Sequence, residues 1–212
     1  MKTTMNLGKT LWSFLVSAAL IALLLSPSLP ALAADSALTG DAFVGMKDAA
    51  LLASAAGPVV GVVTPGTPVK VLKSVGAMSE VEISGWSTAN APTNVFSAEG
   101  QRILLVHIAD PTQLSPAVSK VVKDEYGTAW QDVTVKAWIQ QDATVSDVAK
   151  VWSAAESLYN TRCSACHALH TPDQFTANQW PGVLRVMAKN ASLTKDEDAL
   201  ILKFLQTNAK GQ

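Results

Sequence analysis

The chain has 212 residues, of which 49% are hydrophobic, and carries 16 lysines and arginines against 17 acids. Nothing in a formal net charge of −1 suggests nucleic acid, which would call for a clustered basic surface. The length suits one medium domain or two small ones.

Lys2 and Lys9 precede an apolar run from Leu11 to Leu25, and Ala31-Leu-Ala33 follows it. A positive segment, an apolar core and a small-residue site, in that order, predict a secretory signal peptide over residues 1–33, cleaved before Ala34. The apolar run spans 15 residues, against the roughly 20 that a membrane-crossing helix needs. Cleavage would remove two lysines and no acid, leaving 14 basic and 17 acidic side chains. The expected location is the periplasm, with no stable membrane insertion after cleavage.

Residues 34–56 are rich in Ala, Leu and Ser without a strong period, and read as a linker or short helix. From Gly57 the texture changes to short β-branched runs at Val59–Val63, Pro68–Val75, Glu80–Ser84, Asn94–Ser97 and Ile103–Ala109. Thr64-Pro-Gly-Thr-Pro68, Gly76, Gly85 and Glu99-Gly100 punctuate them, which predicts strands at tight spacing. Ala117–Lys123 and Trp130–Gln140 add two more runs. In the second, Val133, Val135, Ala137 and Ile139 alternate with Thr134, Lys136 and Trp138, the period of a half-buried strand. Residues 57–141 therefore read as a small β domain. Gly66-Thr-Pro-Val-Lys-Val-Leu72 leading to Val81-Glu-Ile-Ser-Gly-Trp86 resembles the bacterial SH3-like barrels.

Behind Asp142 the period becomes helical. Thr144-Val-Ser-Asp147 has the spacing of a capping box, with Val148, Trp152, Ala155 and Tyr159 following on one face. A second helix is expected over about 176–189, with Pro181 in its first turn. A third opens on Thr194-Lys-Asp-Glu197 and carries Leu200, Ile201, Phe204 and Leu205 on one stripe.

Cys163-Ser-Ala-Cys166-His167 lies between the first two helices and uses both cysteines of the chain. A lone pair in an exported protein ordinarily reads as a disulfide, but this spacing with an adjacent histidine is that of covalent haem attachment. The two thiols add to the porphyrin vinyl groups, and His167 supplies the proximal imidazole. One haem c per chain follows. A thioredoxin-like pair would need a βαβ setting that is absent, and zinc would need a fourth ligand at finger-like spacing, with only His107 and His170 as further histidines.

The sixth iron ligand stays open among four readings: Met187 in the second helix, His170, His107, or no protein ligand. Met187 also reads as core filler. Trp180, Phe175 and Phe204 read as pocket or core aromatics, and Arg162 and Arg185 either as propionate partners or as solvated charges. The expected fold class is α+β: a small SH3-like β barrel over 57–141, followed by an all-α class I-like monohaem cytochrome c domain over 142–212.

Leu158-Tyr-Asn-Thr-Arg-Cys-Ser-Ala-Cys-His167, Phe175-Thr-Ala-Asn-Gln-Trp180-Pro, and Asn190-Ala-Ser-Leu with Lys203-Phe-Leu-Gln206 resemble the monohaem C-terminal domain of the membrane-anchored pentahaem cytochromes. The resemblance covers residues 145–209 and, more weakly, 57–110. Those proteins pass electrons to periplasmic trimethylamine N-oxide and related S- or N-oxide reductases. The resemblance implies an electron carrier rather than an enzyme, with a membrane quinol-oxidising cytochrome as donor and a periplasmic molybdenum-dependent reductase as acceptor. The family's tetrahaem module has no counterpart here, since the chain holds one Cys-x-x-Cys-His. The alternative is a haem-based sensor or regulatory module with an open or labile sixth position.

Overall fold

Valine-rich runs broken by glycine and proline turns fold into ten strands, as the computed structural model shows for residues 40–211. The expected signal peptide lies outside these described residues. The strands are β1 (Gly40–Val44), β2 (Ala49–Leu52), β3 (Val59–Val63), β4 (Pro68–Val75), β5 (Met78–Thr88), β6 (Ala91–Ala98), β7 (Gln101–Ile108), β8 (Ala117–Lys123), β9 (Ala129–Gln140) and β10 (Thr144–Val145). Three helices follow: α1 (Val148–Cys163), α2 (Trp180–Asn190) and α3 (Lys195–Thr207).

All ten strands belong to one antiparallel sheet, in which β5 decides the topology. One edge of β5 pairs with β9 along its full length, from Met78↔Gln140 to Thr88↔Trp130. Its other edge pairs first with β4 and then with β6. The sheet thereby closes into a six-stranded barrel, β5-β6-β7-β3-β2-β9, which leaves β4, β1 and β10 as one extension and β8 as the other. Closure removes unpaired edges from those six strands. Inside lie Val81, Ile83, Val95, Leu105, Val133, Val135 and Ile139, contributed by alternate positions of their strands.

The helices do not stand apart from this sheet. Val151, Ala155, Tyr159 and Cys163 recur every fourth residue along α1, and they pack against Leu200, Ile201, Phe204 and Leu205 of α3 in a core that also takes in Ile103 of β7. Gly66 turns the chain between β3 and β4 with φ +66°, and a Cβ there would lie 2.1 Å from Trp152 of α1. Glycine is required for both reasons, because the left-handed φ disfavours a side chain and the indole already fills the space.

These observations correct the expected fold class. The described residues are mostly β, with ten strands and three α-helices, and they do not form an SH3-like barrel followed by an all-α class I-like cytochrome domain. Gly40–Val44 and Ala49–Leu52, read as linker or short helix, are strands of the sheet. The pairs Phe43↔Val145 and Val44↔Thr144 join the segment before the barrel to the residues just ahead of α1. Thr144 is consequently held in β10, and the cap of α1 is Asp147, whose carboxylate accepts from the Ala149 N–H at 2.9 Å. Among the described residues no helix is long and apolar enough to cross a membrane.

Candidate haem site

Cys163 is the last residue of α1 and the end of its buried stripe, so its thiol sits in the helical core at 9% exposure. The chain then leaves the helix, which puts Cys166 and His167 on an exposed turn. No disulfide joins the two cysteines. Burial pushes the Cys163 thiol up, the neighbouring Arg162 guanidinium opposing it in part. A redox-active pair needs the reverse, a lowered thiol pKa. Nδ1 of His167 faces the Ala168 carbonyl at 2.6 Å. A carbonyl only accepts, so Nδ1 carries the proton and Nε2 keeps its lone pair for a metal. Two cysteine thiols and an imidazole presenting Nε2 are the donor set that covalent haem attachment uses, and these residues fit the group.

The loop after His167 is built by aromatic packing. The His170 ring lies 5.6 Å from that of His167 and 5.3 Å from Phe175, and Phe175 meets Trp180 edge-on at 5.0 Å. Trp180 is fully buried and donates its indole N–H to the Pro172 carbonyl at 2.8 Å. The Tyr159 hydroxyl donates to the His170 carbonyl at 2.8 Å, which ties the loop to α1. Nδ1 of His170 meets Gln174 Oε1 at 2.7 Å.

Met187 is half-buried on α2 and packs against the helical core that contains Cys163. His107 is elsewhere. It is exposed on β7, bonded to Asn94 Oδ1 at 2.7 Å, and lines a cavity between α3 and the sheet. Arg162 is committed to a bidentate pair with Glu197, at 2.7 and 2.9 Å from Nη2. Glu197 is also the third residue of α3, where it closes the capping box with Thr194. Its carboxylate is held low first by the Thr194 backbone N–H and then by Arg162. Arg185 is exposed on α2.

A polar group that the sequence reading passed over sits at the junction of α3 and the barrel. Lys203 is only 5% exposed, and its ammonium donates to Thr64 Oγ1 at 2.9 Å, to the Leu104 carbonyl, and more weakly to Thr67 Oγ1 at 3.4 Å. The signal available in the sequence was a lysine inside the apolar stripe of α3, between Leu200 and Phe204 and three residues after the first.

The chain is similar to known c-type cytochromes. The family described as the TorC third cytochrome c domain matches residues 39–144, and that described as dihaem cytochrome c matches 159–212. The first match holds no cysteine; Cys163, Cys166 and His167 all fall in the second. Cytochrome c-type protein TorC of Escherichia coli strain K12 is 34% identical over 151 residues, 70% of this chain and 39% of that protein. Cytochrome c-type protein TorY of Haemophilus influenzae is 32% identical over 129 residues, 60% of this chain and 35% of that protein. The chain thus spans well under half the length of the curated relatives it matches. No solved structure matches it. On the barrel segment and on its similarity to these c-type cytochromes, the chain belongs to the family of the TorC third cytochrome c domain.

Proposed function

We propose that the protein is an exported electron carrier with one haem c, attached through Cys163 and Cys166 and held from the proximal side by His167. The observation that carries this reading is the placement of the motif: Cys163 anchored in the helical core, with Cys166 and His167 presented on the following turn. A bound haem would supply a one-electron couple. The protein's own part is to fix the attachment side chains, to orient the His167 imidazole through the Ala168 carbonyl, and to cover the site with the aromatic loop that ends at Trp180. The barrel with its flanking strands acts as scaffold, and the segment from α1 onward bears the haem. The donor is a membrane quinol-oxidising cytochrome, and the acceptor is a periplasmic molybdenum-dependent reductase of trimethylamine N-oxide or a related S- or N-oxide. Intact mass measurement on protein from a periplasmic fraction is expected to give chain 34–212 plus one haem, retained through acid–acetone extraction. Haem lost to the solvent would overturn covalent attachment, and a second haem would overturn the count.

Met187 is the distal ligand in this reading. It is supported by the half-buried position of the thioether on the helix that begins at Trp180 and shares the core of Cys163. Thioether ligation favours ferrous iron and raises the potential relative to a second imidazole. The ferric protein is expected to show the near-infrared charge-transfer band of a sulfur-ligated haem, and Met187→Ala to abolish it and admit carbon monoxide. A spectrum typical of two imidazoles would shift the assignment to His170 or His107. A high-spin wild type open to exogenous ligands would favour a haem-based sensor.

A further inference from the structure

We propose that Lys203, in the cavity beneath α3, is a redox-linked proton acceptor that takes up a proton when the haem site is reduced and releases it on oxidation. This rests on the haem reading above and adds a second function to it. A core position chosen for stability alone would hold an apolar side chain, since replacing a buried ion by hydrophobic groups is often neutral or stabilising. Lys203 instead brings an amine to a cavity of about 350 Å³ between α3 and the sheet. The titratable groups that face it are Asp48 from the turn between β1 and β2, His107 from β7, and Lys195 and Asp198 from α3. Lys195, 86% exposed at its side chain, connects the cavity to water and lies 3.9 Å from Asp48 Oδ2. The buried Oδ1 of Asp48 has no hydrogen-bond donor among the described residues. The site therefore combines an amine, an unpartnered acceptor and a path to solvent, the parts that proton exchange requires.

The amine can change charge without losing its place. Thr64 Oγ1 donates to the Leu104 carbonyl at 2.6 Å and Thr67 Oγ1 faces the Leu105 carbonyl at 3.4 Å, so the cage around the nitrogen persists when the amine has one N–H fewer. Burial brings Lys203 down to about 7, with Asp48 opposing the shift, which sets both forms within reach at neutral pH.

The link to the haem site is α3 itself. Its first turn holds Arg162, next to Cys163, through Glu197, and its second half holds Lys203. Six residues of helix separate Glu197 from Lys203, a rise of about 9 Å. At an effective dielectric near 20, a unit charge change roughly 15 Å away alters the proton affinity of Lys203 by roughly sixfold. In the balanced step, one electron arrives from a reduced partner protein. One proton from water enters by the cavity and forms the third N–H bond of the Lys203 ammonium. Oxidation reverses both.

The test is the midpoint potential of the haem-loaded full chain as a function of pH, alongside side-chain NMR of Lys203 in both oxidation states. In the wild type the potential is expected to fall as pH rises through neutrality, with the Lys203 titration midpoint displaced upward in the reduced protein by roughly sixfold in affinity. Lys203→Met removes the proton site and Lys203→Arg keeps it charged throughout. Either variant is expected to lose this part of the slope, so misfolding of one leaves the other to decide. Asp48→Asn is expected to move the slope to lower pH, because the carboxylate raises the proton affinity of Lys203. Parallel potential curves in wild type and variants, or one Lys203 midpoint in both oxidation states, would overturn the proposal. Failure of the haem reading itself would show earlier, as protein without covalent haem.

Discussion

Trp180→Ala is expected to lower the unfolding free energy by roughly 3–5 kcal/mol, the range for deleting a large aromatic from a packed core. The indole is fully buried, and it stands where the loop after the attachment motif turns into α2. Removing it deprives Phe175 of its edge-on partner, and Phe175 in turn supports the His170 ring beside His167. The Pro172 carbonyl also loses its donor. Trp180→Phe separates these contributions. It keeps most of the apolar volume and removes the N–H, so a loss of about 1–2 kcal/mol is expected from the unsatisfied carbonyl. Urea titration of the haem-loaded protein checks both values. Equal losses in the two variants would mean that the hydrogen bond, and not the packing, holds the loop. The same experiment reports on function, because Trp180→Ala should reduce the yield of haem-loaded protein while Trp180→Phe preserves it.

Much of this site was legible in the sequence because its signals are local. The motif spacing, the apolar stripe of α1 and the Thr194–Glu197 box are fixed by residues within one or two helical turns, and both bonds of that box are present. The alternation along β9 was equally readable, with Val133, Val135, Ala137 and Ile139 all buried. Trp138, on the opposite face, is also buried, and the Lys73 ammonium lies 5.3 Å from the centroid of its ring. What failed depended on distant partners. Gly-Asp-Ala-Phe-Val and Ala-Ala-Leu-Leu carry little intrinsic strand preference, and they become β1 and β2 through pairing with β4, β10, β3 and β9. Thr144 had the sequence of a cap and was claimed by a strand, so the helix is capped three residues later, at Asp147. The merged architecture was hidden for the same reason. Lys203 meets Thr64 and Leu104 from 139 and 99 residues away in the chain, and no periodicity records such contacts.

The stability of the protein is expected to rise with pH between about 7 and 10, and Lys203→Met to remove that rise. Burial lowers the affinity of Lys203 for its proton in the folded state, to about 7 from the ordinary lysine value of 10.5. Between those values the unfolded chain holds a proton that the folded chain has released. The unfolded state then binds more protons, and unfolding free energy climbs with pH. Below about 7 both states are protonated and the full penalty of the buried ammonium is present; above about 10.5 neither is, and the penalty is gone. The difference across the window is up to about 5 kcal/mol at 1.36 kcal/mol per pKa unit. Asp48 does not compete in this range. Burial raises its carboxyl, which takes stability away as pH rises through the acidic region and leaves the neutral to alkaline region unaffected. In Lys203→Met the Thr64 hydroxyl keeps its carbonyl acceptor at Leu104, so no donor is orphaned there. The variant should therefore be more stable than wild type at pH 6 by a few kcal/mol, as expected when a buried charge gives way to an apolar group of similar volume. By pH 10 the two should converge. Chemical denaturation at half-unit steps from pH 6 to 10 measures the two curves. If they run parallel, Lys203 is protonated in the folded protein throughout, and its three oxygen acceptors outweigh its burial.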